Sequence, residues 1–218
     1  MYRGRRERMR EDRKKAVWYI LAVLHIGLVI FLGVQYGERV HLQKSIADKV
    51  LRFHVIANSD SVCDQELKLK VRDAVGGRMQ ELLKNAESKE ACEEIVSQEL
   101  GEIIETAEEV IRAEGYSYEA QAFLTDTSFP VKTYGAYTFP AGSYRALEVV
   151  IGEGAGRNWW CVMYPNMCFS GSVYEVVYED AEEALKEVLS PEEYQRVLSS
   201  NDYQVEFKYL TFLNELTE

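Results

Sequence analysis

LRFHVIANSDS, residues 51–61, sets the architecture of the folded part of this chain. Leu51, Phe53, Val55 and Ala57 share one face of an extended segment, and Arg52, His54 and Ile56 share the other. That period-two pattern is the signature of a strand. Asn58-Ser59-Asp60-Ser61 is a turn-rich tetrad that ends it. Asp64 follows at a position where its carboxylate can accept the orphan N–H groups of a helix beginning at Gln65. Leu67, Val71, Val75, Met79 and Leu82 then recur at helical spacing.

Downstream, Ser88 can cap a second helix. Its apolar stripe runs through Cys92, Val96, Leu100, Ile103, Ala107 and Ile111 and stops at Gly115. From Tyr116 the period returns to two. FPVKTYGAYTFPAGS, residues 129–143, holds two prolines and two glycines and reads as an irregular connection. Tyr144–Ile151 and Asn158–Tyr164 read as strands joined by Gly152-Glu153-Gly154-Ala155-Gly156, a hairpin signal. Two short helices follow. One starts near Asp180 and Glu183. The other starts at Ser190-Pro191-Glu192-Glu193, with an N-cap serine, proline at the first helical position and glutamate at the third. Gln204–Phe207 reads as a final strand, with a helical tail after it. The order β-α-α-β-β-β-α-α-β predicts an α+β fold, a mainly antiparallel sheet with helices packed on one face.

Upstream, residues 16–36, AVWYILAVLHIGLVIFLGVQY, carry no charge. A helix crossing a bilayer needs about 20 such residues. Before it stand eight bases and three acids, and short basic flanks stay in the cytoplasm. We therefore expect a cytoplasmic basic segment at residues 1–15, a single transmembrane signal anchor at 16–36, a polar stalk at 37–50 and an exported domain at 51–218. A cleaved signal peptide is the alternative. Its apolar core is shorter, about 7–15 residues, and ends in a small-x-small site; Gly33-Val34-Gln35-Tyr36-Gly37 offers no good one. His25 and Gln35 are tolerated polar residues in a lone span.

The chain has 25 bases and 36 acids, for a formal charge of −11. With eight and three of these before the span, 17 bases face 33 acids after it. An acidic exported domain repels phosphate backbones, so nucleic acid is not an expected partner. The four cysteines are Cys63, Cys92, Cys161 and Cys168, and export to an oxidising compartment permits a disulfide. A four-residue loop over Met163–Asn166 sets Cys161 opposite Cys168, close enough to bridge. A two-residue loop makes them diagonal neighbours, and both would then be free, buried small side chains. Such a short ring would contribute about 2–3 kcal/mol. Cys92 falls on an apolar stripe and Cys63 in a turn.

No CxxC pair is present and the histidines are scattered, so neither zinc nor any other cofactor is expected. GxSxG, HExxH and P-loop motifs are missing too. Gly152–Gly156 leads into a strand rather than a helix, unlike a nucleotide loop. Two stretches are denser in function-bearing side chains than a core requires. One is Arg52–Asp60 leading into Lys68–Asp73, with the turn Asn58-Ser59-Asp60 at the end of a strand and before a helix. The other is Asn158–Pro165, with Trp159-Trp160, whose side chains must point to opposite faces of a strand. One indole then needs a cover or a partner, and aromatics of this kind anchor interfaces. The bland alternative gives Asp60 a role in the turn and both indoles a place in the core.

LRFHVIANSDS-x-x-DQELKLKVRDAV and FPAGSYRALEVVIGEGAGRNWWCVMYPNMCF, behind an N-terminal anchor, resemble the stage II sporulation protein R family of endospore-forming Firmicutes. The resemblance runs from about Leu51 onward. It implies a non-enzymatic signalling protein, made in the forespore and exported to the space between the forespore and mother-cell membranes. Its partner there would be a membrane-embedded aspartic-type protease that processes the precursor of the early mother-cell sigma factor. No catalytic residue is carried over, and no small-molecule substrate is implied. Asn58, Ser59, Asp60, Trp159 and Trp160 are the expected partner surface. The alternatives are an exported cell-envelope hydrolase using His54, Asp60 or Cys161, and a structural envelope protein.

Overall fold

The computed structural model describes the backbone of residues 2–167 and 178–198, and the side chains of residues 14–167 and 181–198. The chain divides into two compact units, Met1–Leu42 and Gln43–Glu218. The first is formed by α1, a helix over Tyr2–Ala47 whose last turn belongs to the second unit. Within Lys14–Ala47 an 18-residue window of the helix reaches a mean hydropathy of 2.4 with none of that window buried. It is long and apolar enough to cross a membrane. A helix suits that task because it satisfies every backbone polar group within itself.

The second unit is α+β. Among the described residues its main sheet has four strands in the order β2-β5-β1-β6: β1 (Leu51–Ile56), β2 (Ala120–Phe129), β5 (Gly142–Ile151) and β6 (Asn158–Tyr164). The β2–β5 and β1–β6 pairs are antiparallel and β1–β5 is parallel. Two short strands, β3 (Lys132–Tyr134) and β4 (Tyr137–Phe139), make a separate hairpin. It turns at Gly135, whose φ of +58° a residue with a Cβ would adopt only under strain. That hairpin lies within the stretch expected to be irregular.

β5 and β6 are not a hairpin, contrary to the reading of Gly152–Gly156. β1 lies between them. Five of its six residues are buried, on both faces, as a central strand requires. The glycine-rich loop instead closes over the end of β1. Ala155 N–H donates to the Asn58 carbonyl at 3.1 Å, and Gly156 N–H to the Ala57 carbonyl at 2.9 Å.

One face of the sheet carries α2 (Val62–Leu83), α3 (Lys89–Gln98) and α4 (Leu100–Ala113). The core there joins Phe53, Val55, Leu147 and Val149 to Val71, Val75, Val96, Ile103 and Ala107. α2 starts three residues earlier than expected because Ser61, not Asp64, is its N-cap; Ser61 Oγ accepts the Asp64 N–H at 3.2 Å. The single helix expected after Ser88 breaks at Glu99, which leaves helical geometry at φ −97° and ψ 6°. Gly101, a weak helix former, follows two residues later. Ile46 and Val50 are fully buried in the second unit, so the end of the expected stalk is part of the fold.

α5 (Tyr178–Val188) and α6 (Pro191–Leu198) close the described chain. The capping box of α6 is reciprocal. Glu193 Oε2 accepts the Ser190 N–H at 2.6 Å, and Ser190 Oγ accepts the Glu193 N–H at 3.4 Å. Burial pushes the Glu193 carboxyl up, but hydrogen bonds from Lys49, Ser45 and Ser190 outweigh it and hold the group down at about 2. The strand expected at Gln204–Phe207 and the helical tail lie outside the described residues.

Candidate functional site

The face of the sheet turned away from α2–α4 holds an uncommon row of side chains. Phe123 on β2 pairs with Glu148 on β5, Glu148 with His54 on β1, and His54 with Trp160 on β6. The four residues therefore cross the whole sheet in one line. Phe123 is 43% exposed at one end. Trp160 is half-buried at the other, with its indole stacked on the His54 ring at a centroid distance of 4.8 Å and an interplanar angle of 3°. Phe129 meets the Trp160 ring edge-on at 4.6 Å.

His54 itself is closed in, with its side chain 2% exposed. Its Nε2 lies 2.9 Å from Glu148 Oε2, but out of line for a hydrogen bond, so both ring nitrogens are buried without one. Burial first, and the charge of Arg52 second, lower its pKa to about 4. Burial likewise raises that of Glu148. His54 is thus neutral at pH 7.

Arg52, one pleat away, is fully buried. Its Nε donates to the Cys161 carbonyl at 2.9 Å, and its Nη2 to the Tyr134 hydroxyl at 2.9 Å. The guanidinium also lies 4.3 Å from the Phe129 ring centroid and 4.9 Å from that of Tyr144. Such cation–π contacts partly offset the loss of hydration. Burial still lowers the Arg52 pKa.

Asn58, Ser59 and Asp60 form a second cluster, where β1 runs into α2. Asn58 Nδ2 donates to Asp64 at 2.9 Å, while its Oδ1 accepts the Glu153 N–H at 3.0 Å. The Ser59 hydroxyl also donates to Asp64. That bond, against burial and together with the one from Asn58, lowers the Asp64 pKa. Asp60 accepts the Arg157 N–H at 2.8 Å and leaves its side chain 58% exposed. Asn58 and Ser59 thus tie the 152–157 loop to the start of α2, and Asp60 is the residue of the three that faces solvent most.

The tryptophans part as the pleat demands. Trp159 faces the helices, 5.6 Å from the Phe53 ring and 5.0 Å from the Arg72 guanidinium. Trp160 faces the other way. Cys161, level with Phe53, is disulfide-bonded, and Cys63 and Cys92 are free. Cys168, its expected partner, lies outside the described residues. His54 and Cys161 sit on opposite faces of the sheet, and Asp60 is out on the loop, so the three residues of a hydrolase do not converge. Among the described residues no group of three His, Cys, Asp or Glu side chains is placed to hold a metal ion.

A family model described as Stage II sporulation protein R (spore_II_R) matches residues 47–174. That span covers both clusters and the whole sheet. The Stage II sporulation protein R of Bacillus subtilis (strain 168) is 39% identical over 152 residues, which is 69% of this chain and 68% of that relative. No solved structure matches. The chain belongs to the stage II sporulation protein R family, and its role lies in sporulation.

Proposed function

We propose that this chain is an intercompartmental signal, made in the forespore and anchored by α1 with its N-terminus in the cytoplasm. The second unit then lies in the space between forespore and mother-cell membranes. There it activates a membrane-embedded aspartic-type protease that processes the precursor of the early mother-cell sigma factor. It acts by binding and not by catalysis. The observation that carries this reading is the family membership. An apolar helix behind eight bases, with an acidic unit after it, is the layout such a signal needs. A ligand activates its receptor only by its differential affinity for the active state. The proposed contact surface is Asn58, Ser59 and Asp60 with Trp159 and Trp160; Asp60 offers it exposed charge, and half-buried Trp160 part of its apolar ring.

The test is made in the sporulating host. Deleting the gene should stop cleavage of the sigma precursor, and the full chain should restore it. A reporter that is active only outside the cytoplasm, fused after Glu218, should be active. Normal cleavage in the deletion strain, or a reporter active only in the cytoplasm, would overturn the reading.

A further inference from the structure

Among the described residues, β2 is an open edge of the main sheet. Its register with β5 runs unbroken from Ala120↔Ile151 to Phe129↔Gly142. Gly152 N–H donates to the Glu119 carbonyl at 2.9 Å, so position 119 is a hydrogen-bonded pair and the antiparallel alternation follows from it. Gln121, Phe123, Thr125 and Thr127 turn their backbone groups to β5. Ala120, Ala122, Leu124, Asp126 and Ser128 turn theirs outward. Glu108 Oε1 accepts the Ala120 N–H at 3.4 Å, as that direction requires. The outward groups of Ala122, Leu124, Asp126 and Ser128 have no partner among the described residues. At the opposite edge, Cys161 and Val162 of β6 make further contacts.

Exposed edges are normally blunted by proline, lysine or a bulge. β2, AQAFLTDTSF, has neither residue, and its pairing shows no register shift. What flanks it is acidic. Glu108 of α4 reaches the edge, and Glu105, one turn earlier, shares that side of the helix. Asp126 is 70% exposed on the strand itself. The nearby bases are already shared: Arg112 pairs with Glu108 at 3.1 Å, and Arg145 lies 4.0 Å from Asp126 and 3.7 Å from Glu93. A second copy of the chain would bring the same acids against these. An extended segment carrying Lys or Arg meets them with the opposite sign.

We propose that β2 is a docking edge that takes up an extended basic segment of a partner protein as an added strand. Alternate side chains on the helix side, Lys or Arg, face Glu105, Glu108 and Asp126. An apolar side chain on the other face lies against Phe123 and lengthens the row that ends at Trp160. The main-chain bonds supply affinity, and the alternate side chains supply specificity. The edge serves this purpose whether or not the partner is the protease.

The experiment uses the full chain in phosphatidylcholine nanodiscs, with amide exchange read residue by residue. The probe is a ten-residue peptide of alternating valine and lysine; the control alternates valine and glutamate. Without probe, the Leu124, Asp126 and Ser128 amides should exchange faster than those of Phe123, Thr125 and Thr127. The lysine peptide should slow these three amides by about tenfold, and the glutamate peptide should leave them unchanged. Ser128→Pro removes an outward donor that β5 does not use. It should weaken the probe's effect while the inward amides keep their protection. The proposal is overturned if the lysine peptide slows nothing, if both peptides slow the edge alike, or if the edge is slowed without peptide as chain concentration rises, since a second copy would then be the occupant.

Discussion

Lowering the pH from 7 to 5 should destabilise the second unit through His54. In the folded chain its pKa is about 4, against an ordinary value of 6.5. The unfolded state therefore binds more protons across that window, so stability falls as pH falls. The contribution is complete above the unfolded value and is lost progressively down to the folded one. At pH 5 the unfolded imidazole is almost fully protonated and the folded one about a tenth, which amounts to a loss of about 2 kcal/mol relative to pH 7. Glu148, with its pKa raised by burial, acts with the opposite sign, but it is present in both proteins to be compared. Those proteins are the wild type and His54→Phe, whose ring can still stack on Trp160. Urea midpoints at pH 7 and pH 5, followed by circular dichroism of the micelle-bound chain, give the difference. The wild type should lose about 2 kcal/mol more than the variant over that step. A wild type that instead gains on the variant at pH 5 refutes the reasoning. Glu148, 2.9 Å away, would then be pairing with a charged imidazole strongly enough to overcome burial and the Arg52 charge.

Other perturbations read other parts of the structure. Arg52→Met removes the charge that helps depress His54, so the His54 titration followed by proton NMR should move to higher pH; an unchanged midpoint would leave burial as the sole cause. In Gly156→Ala the new Cβ would stand 2.2 Å from the Ser59 carbonyl oxygen, and the backbone shift should cost about 1–3 kcal/mol by urea midpoint. Gly101→Ala meets open space in α4 and should be neutral or gain up to about 1 kcal/mol. Trp160→Ser and Asp60→Ala should each reduce sigma-precursor processing more than they reduce thermal stability. Losses in step with stability would assign both residues to the fold alone.

Much of this architecture was legible in the sequence for simple physical reasons. The alternation of Leu51, Phe53 and Val55 against Arg52 and His54 gives β1 and its two faces, because a strand has a period of two. The stripe from Leu67 to Met79 gives α2, and Ser190-Pro191-Glu192-Glu193 gives the start of α6, because capping is local chemistry. The α+β class follows from such elements. Strand order was not legible. Two strands around a glycine-rich loop predict a hairpin, yet β1 inserts between β5 and β6, and nothing local to residues 144–164 encodes that. The row Phe123–Glu148–His54–Trp160 depends on three registers at once and was hidden for the same reason. His54 and Trp160 each stand out in the sequence, but their stacking does not. The open edge of β2 could have been suspected from a ten-residue strand with no proline or lysine, had its place at the edge been known.

The most direct test of the signalling account is reconstitution. The membrane-embedded protease and the sigma precursor are placed with lipid vesicles, and this chain is added with its second unit on the face opposite the precursor. The account predicts that precursor cleavage starts only when the chain is present, rises with its amount to a plateau, and fails when residues 1–42 are present without residues 43–218. Cleavage at the same rate without the chain would contradict it.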